Sequence, residues 1–169
     1  MLNKVSNQGF GLLEIIISAA LISASLFSLA YMTKTALRAT TESFFNAKAS
    51  YLAEEALEAA RFIRDKGWSA NIDPLISGSV YYPVFSAGGW AASSTSPGPI
   101  DGIFERQMVF EDVYRSIADD SIVPSDSAEP KYLDTGIVKV TADILWIKGS
   151  SAATSSVELI TYIANIFGD

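Results

Sequence analysis

The chain has 169 residues, 49% of them hydrophobic, a formal charge of −7, and neither Cys nor His. Such a length allows one domain with an appendage. The missing residue types exclude disulfides, thiolate nucleophiles, zinc–thiolate sites, the Ser-His-Asp triad and imidazole acid–base chemistry. The acid excess leaves no dense basic stripe for phosphates, so no nucleic-acid partner is expected.

Charge and greasiness divide the chain. Residues 1–66 carry 7 basic and 6 acidic side chains, whereas residues 67–169 carry 5 and 13. Residues 1–9, MLNKVSNQG, are polar with a single Lys, like the positive end of an export signal. From Ile15 to Thr33 run 19 residues without charge, Pro or Gly. At ~1.5 Å per residue this run is about 28 Å long, close to the ~30 Å hydrocarbon core of a bilayer. Glu14 stands just before it, and Lys34 and Arg38 follow it. A membrane-spanning helix over residues 10–33 is therefore expected, in preference to a buried core helix. No clear Ala-x-Ala cleavage site leading into mature-domain sequence stands directly after the apolar run.

The helical pattern continues over residues 34–66 with no Gly or Pro. Phe45, Ala49, Leu52, Ala56, Ala59 and Ile63 are spaced for one face, which predicts an amphipathic stalk helix. Arg61 and Asp65 are placed for an i,i+4 pair, and Gly67 for the helix stop.

Residues 67–169 make a small head. Two loops are expected, Ser86–Gly102, rich in Gly, Ser and Pro, and the acidic stretch Ala118–Gly136. Strands are expected at Ile103–Tyr114, Ile137–Ile147 and Val157–Phe167. In the second, Val138, Val140, Ala142, Ile144 and Trp146 share one face, opposite Lys139, Thr141 and Asp143. The stripe from Phe45 to Ile63 can cover such a sheet. The expected class is thus α+β, a long N-terminal helix packed on a small antiparallel β-sheet head.

Several residue groups invite a chemical reading. Asp119, Asp120, Asp126 and Glu129 are candidate Ca²⁺ ligands, although their spacing does not match an EF-hand and a solvated acidic loop is the first expectation. Trp90, with Tyr81, Tyr82 and Phe85, either forms a contact surface or packs beneath its Gly-rich loop. Lys66 and Ser69 make a bare Ser–Lys combination at the helix end, without supporting groups. No catalytic constellation emerges, so neither an enzyme nor a cofactor is expected.

Gly9-Phe10-Gly11-Leu12-Leu13-Glu14, leading at once into the apolar helix, resembles the prepilin signal of type IV pilins and type II secretion pseudopilins. The resemblance implies cleavage by a prepilin peptidase between Gly9 and Phe10 and N-methylation of Phe10. It makes Glu14 the fifth residue of the mature chain. There its carboxylate would pair with the α-amine of a neighbouring subunit and fix the axial register. A carboxylate in hydrocarbon costs roughly 2.5–3.5 kcal/mol on insertion scales, which gives such pairing a physical basis.

The head order, with Phe104-Glu105-Arg106 opening one strand and Val138, Val140 and Trp146 in the next, is most similar to minor pilins and minor pseudopilins. Departures are the absence of Pro and Gly from residues 12–66, Gly11 in place of the usual Thr or Ser, and the lack of the Cys-bounded loop of many major pilins.

The function implied is a structural subunit assembled through its N-terminal helix into a pilus or pseudopilus. Its partners would be the peptidase, other pilin or pseudopilin subunits and an inner-membrane assembly platform. The precursor would be single-pass in the inner membrane with its head outside the cytoplasm. The alternative is a membrane-anchored adhesin or substrate-binding module shown at a filament tip.

Overall fold

The computed structural model describes residues 8–147 and 154–168. The first element, α1, runs from Gln8 to Asp65. The chain divides into two compact units, Met1–Phe45 and Asn46–Asp169, so the last twenty residues of α1 belong to the head.

In the first unit every residue from Gly11 to Phe44 is exposed. Several hydroxyls on this apolar surface are satisfied within the helix. Ser25 Oγ donates to the Leu21 carbonyl at 2.8 Å, Thr33 Oγ1 to Leu29 at 2.9 Å and Thr35 Oγ1 to Tyr31 at 3.0 Å. Each back-bond lets a polar side chain sit in an apolar stretch without an outside partner.

In the second unit α1 buries an alanine-rich face: Ala49, Leu52, Ala53, Ala56, Leu57, Ala59, Ala60 and Ile63. This face covers the inner side of the sheet. The expected stripe is present, broadened by Ala53, Leu57 and Ala60, with Phe45 half-buried at its start. Arg61 pairs with Glu58 and Arg64 with Asp65 at 2.7 Å, which replaces the expected Arg61–Asp65 pair. Gly67 ends the helix at φ 125°, a conformation that favours Gly, and donates its N–H to the Arg64 carbonyl. The short α2, Trp68–Asn71, follows and buries Trp68.

The strands are β1 (Val80–Ser86), β2 (Gly89–Ser93), β3 (Phe104–Ser116), β4 (Ile122–Val123), β5 (Lys131–Ile147) and β6 (Thr154–Ala164). Among the described residues they form one six-stranded antiparallel sheet in the order β2-β1-β3-β5-β6, with β4 added to β3. The inner face presents Phe104, Met108, Phe110, Val140, Ala142, Ile144, Trp146 and Ile163, all buried. This is the α+β arrangement that the sequence pattern calls for.

Both expected loops contain strands. Within Ser86–Gly102, Ala87 and Gly88 take φ values of 50° and 79°, turning β1 into β2 by a two-residue hairpin. Pro83 hides β1, yet only Val80 and Tyr81 of β1 pair with β3, so the missing N–H costs no bond there. Within Ala118–Gly136, β5 starts six residues early, at Lys131. Asp112 pairs with Val138 but Val113 with Asp134, so Thr135, Gly136 and Ile137 bulge out of the β3–β5 ladder. The Asp-Thr-Gly that reads as a loop is this bulge, held where Gly136 N–H donates to Asp134 Oδ1 at 3.0 Å. The final strand is shifted three residues earlier than expected, leaving Ile166 and Phe167 exposed.

Candidate functional site

The N-terminal unit offers one feature, an apolar helix long enough to cross a membrane, with none of its most apolar stretch buried. Gly9 and Phe10 fall in the first turn of α1; their side chains, and residues 1–7 altogether, lie outside the described residues. Glu14 is exposed on the same helix, and among the described residues it has no ion-pair partner. The helix therefore presents Leu12, Leu13, Ile15, Ile16 and Ile17 around a lone carboxylate. Such a surface is suited to hydrocarbon or to other apolar helices, with Glu14 calling for a cationic or hydrogen-bonding partner.

The head carries its polar groups in pairs. Arg106 occupies the helix-facing register of β3, between Phe104 and Met108. Its Nη1 lies 2.5 Å from Glu55 Oε2, and its guanidinium stacks 5.2 Å from the Trp90 ring centroid. Lys48 Nζ holds Asp101 Oδ2 at 2.8 Å. Two cation–carboxylate links thus tie α1 to the sheet and to the turn before β3. The signal for the first was present in the sequence. With Phe104, Met108 and Phe110 facing inward at period two, a cation at 106 must find a partner inside.

The aromatic group divides between the two expected roles. Tyr81 is buried edge-on to Phe110, with centroids 6.1 Å apart, and its hydroxyl accepts the Ile76 N–H at 2.8 Å. Phe85 is 65% exposed at the hairpin, edge-on to half-buried Trp90. Lys66 Nζ lies 5.9 Å from the Phe62 ring centroid, while Ser69 is simply exposed.

The acidic candidates are not gathered into one site. Asp119 Oδ1 accepts both Ser121 N–H (3.1 Å) and Ser121 Oγ (2.7 Å), bonds that hold its carboxyl below the ordinary range. Asp120 accepts the Tyr132 hydroxyl at 3.0 Å, which raises the phenol. Glu129 accepts Ser127 Oγ at 3.1 Å. Asp126 is exposed. Among the described residues no group of three or more Asp or Glu side chains is placed to hold a metal ion.

The loop instead contains its own cation. Lys131 Nζ donates to the carbonyls of Ser125 and Ser127, both at 2.6 Å, and sits 5.6 Å from the Tyr114 ring centroid. Sequence reading missed this arrangement, because carbonyl ligands leave no side-chain signature. Arg115 anchors the other end, donating Nε to Asp134 Oδ2 and Nη1 to the Asp120 carbonyl, each at 2.6 Å; the Asp134 bond raises the guanidinium further.

A groove of about 270 Å³ opens beside the bulge, lined by Trp68, Ile72, Phe110, Asp112, Asp134 and Val138. Its neighbouring acids are largely engaged, since Asp134 holds Arg115 and Glu111 holds Lys139 at 2.8 Å.

On the outer face Asp143 stands directly opposite Glu158 of β6 and Gln107 of β3. Its Oδ1 is buried without a hydrogen-bond partner. Burial, and then the charge of Glu158, push its carboxyl above the ordinary range.

None of these clusters combines a nucleophile, a base and a substrate cleft. No family model, no curated protein and no solved structure matches the chain.

Proposed function

We propose that the chain is a prepilin-type structural subunit, cut between Gly9 and Phe10 by a prepilin peptidase and methylated at Phe10. It then assembles through its N-terminal helix into a type IV pilus or pseudopilus, as a minor subunit. The observation that carries the reading is a conjunction. A Gly-Phe junction precedes a carboxylate at the fifth following position, at the head of a wholly exposed apolar helix that ends as the cover of an antiparallel sheet. The arrangement is compatible with a pilin-like fold.

The physical logic supports assembly. An apolar helix with no internal partner is stable in a bilayer and can be transferred to a bundle of like helices at little cost, because hydrocarbon and leucine side chains are similar surroundings. A carboxylate in that surface favours the one position in a bundle where a positive charge meets it. Cleavage before Phe10 creates such a charge on the new N-terminus of each subunit.

N-terminal sequencing of the mature protein tests the first step, and Phe10 is the expected first residue. Gly9→Ala should leave the leader attached, whereas Glu14→Ala should be cut normally yet be missing from filaments. A mature chain starting elsewhere would refute the processing site. Normal incorporation of the Glu14 variant would refute the role of the carboxylate.

A further inference from the structure

Asp101 and Gly102 make the single Asp-Gly pair of the chain, and the sequence contains no Asn-Gly. The pair is the centre of the turn over residues 100–103, closed where Ile103 N–H donates to the Ile100 carbonyl at 3.0 Å. Both central residues take positive φ, 52° at Asp101 and 69° at Gly102. Ile100 then bridges to Phe104, which opens β3 and is buried in the core.

The surroundings leave this peptide open to attack by its own neighbours. Asp101 and Gly102 are both exposed, and a Cβ built on Gly102 would meet nothing within 4 Å, so water reaches the peptide from that side. Among the described residues no acceptor takes the Gly102 N–H. Gly102 also has no side chain to screen its nitrogen from the carboxyl of the preceding residue. One contact restrains the pair. Lys48 Nζ, on the part of α1 that belongs to the head, holds Asp101 Oδ2 at 2.8 Å.

We infer that Asp101–Gly102 is a site of spontaneous backbone isomerisation, held in check by the Lys48 ion pair. The Gly102 nitrogen attacks Asp101 Cγ. A new N–Cγ bond closes a five-membered succinimide, and the carboxyl hydroxyl leaves with the amide proton as water. A second water opens the ring. Attack at Cγ restores aspartate. Attack at the Asp101 main-chain carbonyl breaks its bond to the Gly102 nitrogen and leaves the chain running through Cβ and Cγ, as isoaspartate. One water is released and one consumed, and nothing is oxidised or reduced.

Ring closure requires Cγ to swing onto the Gly102 nitrogen. The ammonium opposes that swing by holding Oδ2 against α1. An exposed ion pair supplies at most ~1 kcal/mol, so the restraint corresponds to about fivefold in rate. The product cannot keep the contact. Isoaspartate adds one carbon to the main chain of a tight turn and leaves its free carboxylate on Cα. Lys48 then loses its partner, and the link between α1 and the entrance to β3 is undone. The reaction involves the head alone and stands independently of the proposed processing and assembly of the helix.

Full-length wild type, Lys48→Met and Lys48→Arg in detergent micelles are aged at neutral pH in water enriched in heavy oxygen, then digested and mapped by mass. Each passage through the ring leaves one heavy oxygen at residue 101, and chromatography separates isoaspartate from aspartate. Asp120-Ser121 and Asp126-Ser127, each followed by a small residue, are references within the same chain.

Label and isoaspartate are expected at 101 ahead of both references. They should accumulate up to about fivefold faster in Lys48→Met, with the native melting transition retained, and at the wild-type rate in Lys48→Arg. Equal rates in wild type and Lys48→Met overturn the inference. So does a slower Lys48→Met chain, since the ammonium would then be donating a proton to the leaving oxygen. Absence of label at 101 from the natively folded Lys48→Met chain overturns the site itself.

Discussion

Arg106 and Glu55 meet across the helix–sheet layer, Nη1 to Oε2 at 2.5 Å, with the Arg106 side chain 10% exposed and that of Glu55 47%. The cation is thus the buried member, and the Trp90 face covers it. Arg106→Ala removes the ion pair, the stacking on indole and the aliphatic stem together. A fully buried pair costs about 3–5 kcal/mol to break; the exposed side of Glu55 reduces this to roughly 2 kcal/mol. Arg106→Lys should recover little, because an ammonium cannot both stack on Trp90 and reach Glu55. Glu55→Gln should cost less than Arg106→Ala. Denaturant midpoints of the three variants check the order.

Gly89 is buried against Phe62, and a Cβ there would meet the ring at 2.8 Å. Gly89→Ala is expected to push the ring off the hairpin, costing about 1 kcal/mol of overpacking. In a Phe62→Ala background the same change should be neutral or stabilising, since Ala is favoured over Gly in a strand by roughly 0.5–1 kcal/mol. A double-mutant cycle measures the coupling, and additivity of the two changes would contradict the contact.

Asp143 makes the head sensitive to acid in an unusual direction. Its carboxyl is held above the ordinary range by burial first and by Glu158 second. The folded chain therefore binds this proton more tightly than the unfolded chain does. Its contribution to stability is fully present below the unfolded pKa, near about 4, and is lost as pH rises through the folded value. Asp119, with its carboxyl lowered by Ser121, acts in the opposite sense and loses its contribution as pH falls. The difference between wild type and Asp143→Asn isolates the first effect. The variant should be the more stable of the two at neutral pH, and this advantage should shrink on acidification. Urea titrations at a series of pH values report it.

What could be read from the sequence, and what could not, follows physical lines. The apolar run Ile15–Thr33 and the stripe through Ala49, Leu52, Ala56, Ala59 and Ile63 are legible because helix periodicity leaves a regular residue signature. The alternation Val140, Ala142, Ile144, Trp146 is legible for the same reason at period two. β1 and β2 escape because Pro83 and an Ala-Gly turn imitate loop chemistry, and their pairing depends on backbone hydrogen bonds with no sequence trace. The start of β5 escapes because Asp134-Thr135-Gly136 is a bulge within a strand. Gly9, Phe10 and Glu14 suggest the proposed processing and assembly site only as a conjunction; Glu14 alone is one exposed carboxylate on a helix.

Lys131 gives the acidic loop an internal cation, with two carbonyls at 2.6 Å and the Tyr114 ring beside it. The carbonyls of Ser125 and Ser127 are the oxygens a divalent ion would recruit together with Asp126 and Glu129, and the ammonium already occupies them. Millimolar Ca²⁺ should accordingly leave the melting temperature of the wild-type head unchanged. Lys131→Met keeps most of the aliphatic stem over Tyr114 but removes the three donors. It should leave the core strands intact while amides in residues 118–130 exchange faster with solvent, because only the loop's closure depends on those bonds. Hydrogen exchange resolved by peptide separates the two regions. Unchanged exchange in the loop would show that Pro124, Pro130 and the Arg115–Asp134 pair suffice to hold it, and that Lys131 is a passive neighbour.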